Sequence, residues 1–259
     1  MATQRSKTLT VIQKTTYYDG IVTNETAGNE LVTQGFTGRA FSNTEEIYNF
    51  SNLAFKNDEL ISLENSVASN HIGGSTIAIS NDACILYQTQ GRQNEIGALK
   101  KFPSGSGSFN WYAEDFRGKL PTLRDLVVAN LERELREEMS VPGDREYRCL
   151  TYLTGYGRLL NRNGKPEFFG LTLVTKAHDE FRIRPAELGF IHKFHTLKLD
   201  SLDRSIVLQK LSTLYRDMLA DSNAGLGIVT VLRCAIAFLQ SQSDEDFITK
   251  GFKELLHVL

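Results

Sequence analysis

The chain has 259 residues, 41% hydrophobic and 23% charged, proportions ordinary for a globular protein with ample material for a core. Its 29 basic and 31 acidic residues leave a formal net charge of −2, which removes the electrostatic case for nonspecific binding to nucleic acid. Three well-separated cysteines, Cys84, Cys149 and Cys234, argue against a disulfide framework or a CxxC metal knuckle and read as small buried residues.

The first residues, from Met1 to Lys7, are polar and lead into no apolar run, so no secretory signal is expected and a cytoplasmic location is. The most apolar run, from Ala224 to Leu239, is interrupted by Arg233 and is too short to span a bilayer; no membrane partner is expected. Leu9 to Ile12 and Tyr17-Tyr18 favour strand, with Asp19-Gly20 as a hairpin turn before Ile21, Val22 and Thr23. From Ser42 to Glu64 the periodicity is mixed, with helical fragments around Thr44 to Phe55. No function is legible in residues 1–65, which are treated as a β-rich N-terminal extension. His71 to Ser80 reads as a strand, Asn81-Asp82 as a turn and Cys84 to Gln90 as the returning strand. Phe102 to Phe109 contains the Gly/Ser cluster Ser104, Gly105, Ser106, Gly107 and Ser108. It reads as a loop whose backbone amides can approach an anion closely.

Pro121 and Thr122 open a helix predicted to run to Met139, with Thr122 and Asp125 spaced as a capping box in which aspartate replaces glutamate. Leu131, Leu135 and Met139 recur at i, i+4 and i+8 and form an apolar stripe. Glu134 lies one turn from both Glu137 and Glu138, so three carboxylates share one face near the negative end of the helix dipole. Their repulsion calls for positive charge. Spacing alone leaves open whether Arg133 and Arg136 supply it on a solvated surface or a divalent cation does.

The string Arg133-Glu134-Leu135-Arg136-Glu137-Glu138, followed by Met139-Ser140-Val141, resembles the core of the Nudix hydrolase signature. The resemblance implies an α+β fold, a Nudix-like α/β/α sandwich with a mixed sheet, here with an N-terminal extension and C-terminal helices. It implies that Glu134, Glu137 and Glu138 are metal ligands for Mg²⁺ or Mn²⁺ and that Arg133 holds a carboxylate in place, the four together forming the catalytic group. It also implies a pyrophosphohydrolase that cleaves a phosphoanhydride bond in a nucleoside diphosphate linked to another moiety. By the same resemblance Arg92, at the end of the second strand, and Gly105 and Gly107 of the Gly-rich loop are expected to face substrate. Residues 109–120 look like an insertion beside the site, from which Trp111 or Tyr112 is expected either to stack on a base or to pin the loop to the core. Asp125 stands where the family has glutamate, Lys119 where it has glycine, and Ser140 where it prefers a glycine after the helix. A serine in a left-handed cap there would cost about 1 kcal/mol, unless Pro142-Gly143 relocates the turn. These departures keep open an alternative, a catalytically inactive Nudix-like nucleotide-binding or regulatory module.

Tyr147 to Tyr156 and Phe168 to Thr175 read as further strands joined by a turn at Asn161 to Lys165. The family often draws an extra carboxylate from this later region, and Glu167, Glu180 and Glu187 are equal candidates. His192 and His195, three apart in a strand, fall on opposite faces and do not form a metal pair. From Ser201 the pattern becomes helical, with helices expected over Leu202 to Leu219, Ala224 to Leu239 and Asp244 to Leu259. The expected organisation is an extension over 1–65, a Nudix-like domain over 66–200 and a helical segment over 201–259. That segment packs on the core or offers a surface for a homodimer. The expected partner is a nucleotide-type small molecule.

Overall fold

The computed structural model describes residues 12–25, 30–37, 40–49, 53–57, 59–93, 98–110, 121–143 and 147–257. They fall into two compact units, one drawn from Met1–His71, Trp111–Leu126 and Leu159–Lys165, the other from Ile72–Asn110, Val127–Arg158 and Pro166–Leu259.

In the first unit, the expected hairpin at Asp19-Gly20 is a helix instead, α1 (Tyr17–Thr23). The Thr16 hydroxyl accepts the Asp19 amide at 3.2 Å, and the Asp19 carboxylate accepts the Thr16 amide at 3.0 Å and its hydroxyl at 2.7 Å. This reciprocal capping box satisfies amides that a turn would have left to water, and it outweighs the strand preference of the flanking residues. The helical fragments expected around Thr44 to Phe55 are also overturned. β1 (Glu30–Thr37) and β2 (Ala40–Asn49) pair antiparallel, with Leu31 opposite Tyr48 and Val32 opposite Ile47. β3 (Phe55–Lys56) and β4 (Glu59–Leu60) form a second small hairpin.

The second unit is built on a mixed sheet. Its strands are β5 (Gly73–Ser80), β6 (Cys84–Gln90), β7 (Lys101–Phe102), β8 (Gly105–Ser108), β9 (Cys149–Leu159), β10 (Lys165–Val174) and β11 (Ile191–Lys198). The order is β11-β6-β5-β10-β9, with β7 on β6 and β8 on β5. β5 and β10 run parallel, with Leu171 opposite Ile77 and Leu173 opposite Ile79, and every residue of β5 is buried. A parallel central pair needs cover on both faces. Alternation along the strands supplies it.

Ile77, Ile79, Ile85, Phe169, Leu171 and Leu173 point to one side and pack with α3 (Arg204–Ala220), α4 (Leu226–Ser241) and α5 (Phe247–His257) through Leu211, Ile228, Leu232 and Phe252. Ala78, Cys84, Leu86 and Val174 point to the other side and meet Leu135 of α2 (Leu123–Glu138) and Met139 just after it. The apolar stripe expected on this helix is therefore its buried face, with Leu131, Leu135 and Met139 at most 1% exposed. Such burial stabilises by roughly 1.5–3 kcal/mol for each side chain. The chain is α+β, with helices on both faces of a mixed sheet, as the sequence led one to expect. No helix among the described residues is long and apolar enough to cross a membrane.

Candidate active site

The stripe that anchors α2 fixes the carboxylates beside it. With Leu131, Leu135 and Met139 turned to the sheet, Glu134 and Glu138 lie at the margin of the buried face and Glu137 further out, its side chain 43% exposed against 12% for Glu134. The Arg133 guanidinium donates to Glu134 at 2.7 Å, to Glu137 at 3.1 Å and to the Asn130 side-chain oxygen at 2.8 Å. That Asn130 oxygen also accepts the Asn110 amide at 2.9 Å, which ties the arginine's support to the segment after β8. Arg136 is turned elsewhere, donating to Glu132 at 3.1 Å and to the Tyr147 carbonyl at 3.2 Å. Among the described residues, the cation paired with the cluster is thus Arg133.

Glu138 is held from two strands. The Gln88 amide of β6 donates to it at 2.6 Å and the Ser106 backbone N–H of β8 at 3.1 Å. Burial nevertheless pushes the Glu138 carboxyl well above the usual range, and the Glu134 charge adds to the rise. Burial raises Glu134 to about 7 against the pull of Arg133, with the Glu137 charge again contributing. Glu187, in a short 3-10 turn between β10 and β11, is raised by burial and by the Glu137 charge, with Arg184 opposing. Its field is felt at Glu134 and at Glu138 as well. Of the three later carboxylates the sequence could not choose among, Glu187 is the one joined to the cluster. Glu180 is occupied as a cap, accepting the Ala177 amide at 2.7 Å, and Glu167 is buried in β10 and accepts the Ser75 hydroxyl at 3.1 Å.

Several expected substrate contacts have a different place. Gly105 and Gly107 are not in a loop. They belong to β8, which pairs with β5 so that Gly74 faces Gly107 and Thr76 faces Gly105. Their lack of a side chain serves close packing against α2. A Cβ on Gly105 would come 2.7 Å from the Leu135 Cα, and one on Gly107 would fall within the Glu134 carboxylate. The loop read from this Gly/Ser cluster is corrected accordingly: the segment is a strand of the sheet. The Ser106 amide is turned to Glu138 instead of to substrate. Arg92 stands exposed in the turn after β6, and among the described residues no hydrogen bond or ion pair joins it to the carboxylates. Trp111 and Tyr112 lie outside the described residues.

The two departures at the helix ends are also accounted for. Asp125 closes a capping box, accepting the Thr122 amide at 2.9 Å and hydroxyl at 2.7 Å, and is exposed. Ser140 is not left-handed. Its amide donates to the Arg182 carbonyl at 3.2 Å and its carbonyl accepts the Arg182 amide at 2.8 Å, while the left-handed turn passes to Gly143, at φ +79°. The Ser140 hydroxyl adds a third bond to the Arg182 carbonyl at 2.9 Å.

Gln88 and Asn130 went unnoticed in the sequence. Signals for both were there: Gln88 continues the inward alternation of Cys84 and Leu86, and Asn130 lies three residues before Arg133 on the same helical face.

No protein-family model matches the chain, and no curated protein matches it. Three solved structures resemble it in part. A MutT protein from Methanosarcina mazei is 10% identical, covering 63% of this chain and 91% of its own, at a TM-score of 0.37. A Nudix-family hydrolase from Clostridium perfringens is 12% identical, covering 66% and 97%, also at 0.37. A MutT Nudix hydrolase from Burkholderia pseudomallei is 16% identical, covering 63% and 95%, at 0.36. Two of the three carry the name of the family whose signature the α2 residues resemble. At these TM-scores the overlap carries no chemistry across to this chain, which has to be argued from its own residues.

Proposed function

We propose that this chain is a metal-dependent hydrolase of the Nudix type, cleaving a phosphoanhydride bond in a nucleoside diphosphate linked to another moiety. The observation that carries the reading is the grouping of Glu134, Glu137, Glu138 and Glu187 within reach of one another's charge, with Arg133 bonded to Glu134 and Glu137 and three of the four carboxyls raised by burial and mutual charge. A fold keeps partly buried like charges together at a cost in stability, and an all-oxygen set of this kind fits a hard divalent cation such as Mg²⁺ or Mn²⁺. Glu134, Glu137 and Glu138 would hold the ion, with Glu187 as a further ligand or a base for water. When bound, a divalent cation supplies charge neutralisation at a pyrophosphate and a more acidic water.

The chain's own contribution is positional. Arg133, braced by Asn130, keeps Glu134 and Glu137 in their rotamers, and Gln88 with the Ser106 amide keeps Glu138 in place. Glu187, partly buried and crowded by Glu137, is suited to receive a proton from an attacking water.

The test is a substrate panel of ADP-ribose, NADH, dinucleoside polyphosphates and modified nucleoside triphosphates, assayed with and without Mg²⁺. Turnover should require the metal. The combined Glu137→Gln and Glu138→Gln substitutions should lower it by at least about 100-fold with the fold intact. Unchanged turnover in that variant would overturn the assignment. Nucleotide binding without product would favour a non-hydrolysing module.

A further inference from the structure

A second cluster of ligating side chains, of different chemistry, gathers at the turn between β5 and β6. Asp82 lies in that turn, Cys84 is the first residue of β6, and His178 opens the 3-10 turn His178–Glu180 that follows β10. One oxygen of Asp82 is fixed by the Ser80 hydroxyl at 2.6 Å and the His178 backbone N–H at 3.0 Å. The other lies 2.5 Å from His178 Nδ1 and 4.0 Å from Cys84 Sγ. The Ser80 hydroxyl also accepts the Cys84 amide at 3.1 Å, so three backbone segments are locked together around the group.

From this geometry we infer a site for a borderline-soft divalent cation of the zinc class, with Asp82 Oδ2, Cys84 Sγ and His178 Nδ1 as protein ligands. The three ligand atoms all lie within 4.8 Å of one another. A tetrahedral zinc ion, with bonds of about 2.0–2.3 Å, wants its ligands roughly 3.3–3.6 Å apart. The Asp82–His178 contact opens slightly, the thiol closes slightly, and the backbone is already in place. The cation replaces the proton now shared between His178 Nδ1 and Asp82 and expels the Cys84 thiol proton to water. Sulfur, imidazole and one carboxylate form the donor set that suits zinc, where the oxygen-only cluster on α2 suits magnesium.

Access is open. The His178 and Asp82 side chains are 38% and 29% exposed, leaving a fourth position to water, while Cys84 is buried and closes the inner side. Lys198 donates to the Asp82 carbonyl, not to its carboxylate; burial and then the Asp82 charge raise the Cys84 thiol above its usual range, with Lys198 opposing and Asp179 adding to the rise. Ser80 and the His178 amide supply the outer support that ligating carboxylates need. The simpler account is that Asp82 and His178 tie two turns together while Cys84 only fills the core beside Leu86, and it predicts no thiolate ligation.

Co²⁺ is the probe, because thiolate ligation gives a sulfur-to-cobalt charge-transfer band that carboxylate sites cannot produce. Reduced, chelator-stripped full-length protein should develop that band with one equivalent of Co²⁺, and Zn²⁺ should abolish it. Cys84→Ala should eliminate the band. His178→Gln, at a side chain 38% exposed, should weaken Co²⁺ binding by at least about 100-fold with the circular dichroism spectrum unchanged. The combined Glu137→Gln and Glu138→Gln variant should keep the band, which separates this site from the hydrolase reading. No band in the native protein, a band surviving Cys84→Ala, or unchanged affinity in His178→Gln would each overturn the proposal.

Discussion

Replacing Glu134 by glutamine should stabilise the metal-free protein at neutral and alkaline pH. Burial carries the Glu134 carboxyl from 4.5 to about 7. Between those values the folded chain holds a proton that the unfolded chain has released, so stability falls as pH rises through that window. At about 1.36 kcal/mol for each pH unit of displacement, the loss is on the order of 3 kcal/mol. The side chain is 12% exposed, so solvent screening removes little of it. Below about pH 4.5 the carboxyl is protonated in both states, and glutamine and glutamic acid should behave alike. The assay is urea unfolding in chelator across about pH 4.5 to 8, for native protein and Glu134→Gln. The native curve should decline more steeply by roughly that amount, and the variant should be the more stable of the two at pH 8. Added Mg²⁺ should recover the native protein and leave the variant nearly unmoved. Parallel curves, or a variant weaker than native at pH 8 in chelator, would refute the account of Glu134 as a charge stored at a cost.

Gly107→Ala would drive a methyl group into the Glu134 carboxylate. It should displace that carboxylate, the far end of a flexible side chain, and weaken Mg²⁺ binding about 10–100-fold, as read from a metal titration. Gln88→Leu removes the amide held 2.6 Å from Glu138. Divalent-cation affinity should drop about 10–100-fold by calorimetry, with the denaturation midpoint almost unchanged.

The carboxylate half of the site was legible because helical spacing is a local property. Glu134, Glu137, Glu138 and their partner Arg133 share a face whatever the sheet does, and the stripe of Leu131, Leu135 and Met139 says which face is buried. What escaped depends on pairing between distant segments. Glu187 reaches the cluster through the path between β10 and β11, and nothing in its neighbours sets it apart from Glu167 or Glu180. Gly105 and Gly107 were misread because a Gly/Ser run looks alike in a loop and in a strand that must approach a helix closely. The remaining local error was avoidable. Thr16 and Asp19 have the same spacing as Thr122 and Asp125, and both pairs cap helices. One was recognised, while the other was masked by strand-favouring neighbours and a dipeptide typical of turns.

The reciprocal backbone pair between Ser140 and Arg182 makes a hinge-free joint. It fastens the end of α2 to the stretch that carries Glu187 a few residues later, so helix and turn move together if either moves. A swing of the turn that bears Glu187 away from α2 would strain this joint. Amide exchange at Ser140 and Arg182 would then report on the acidic cluster without a substrate being known: loading with a divalent cation should slow both amides together.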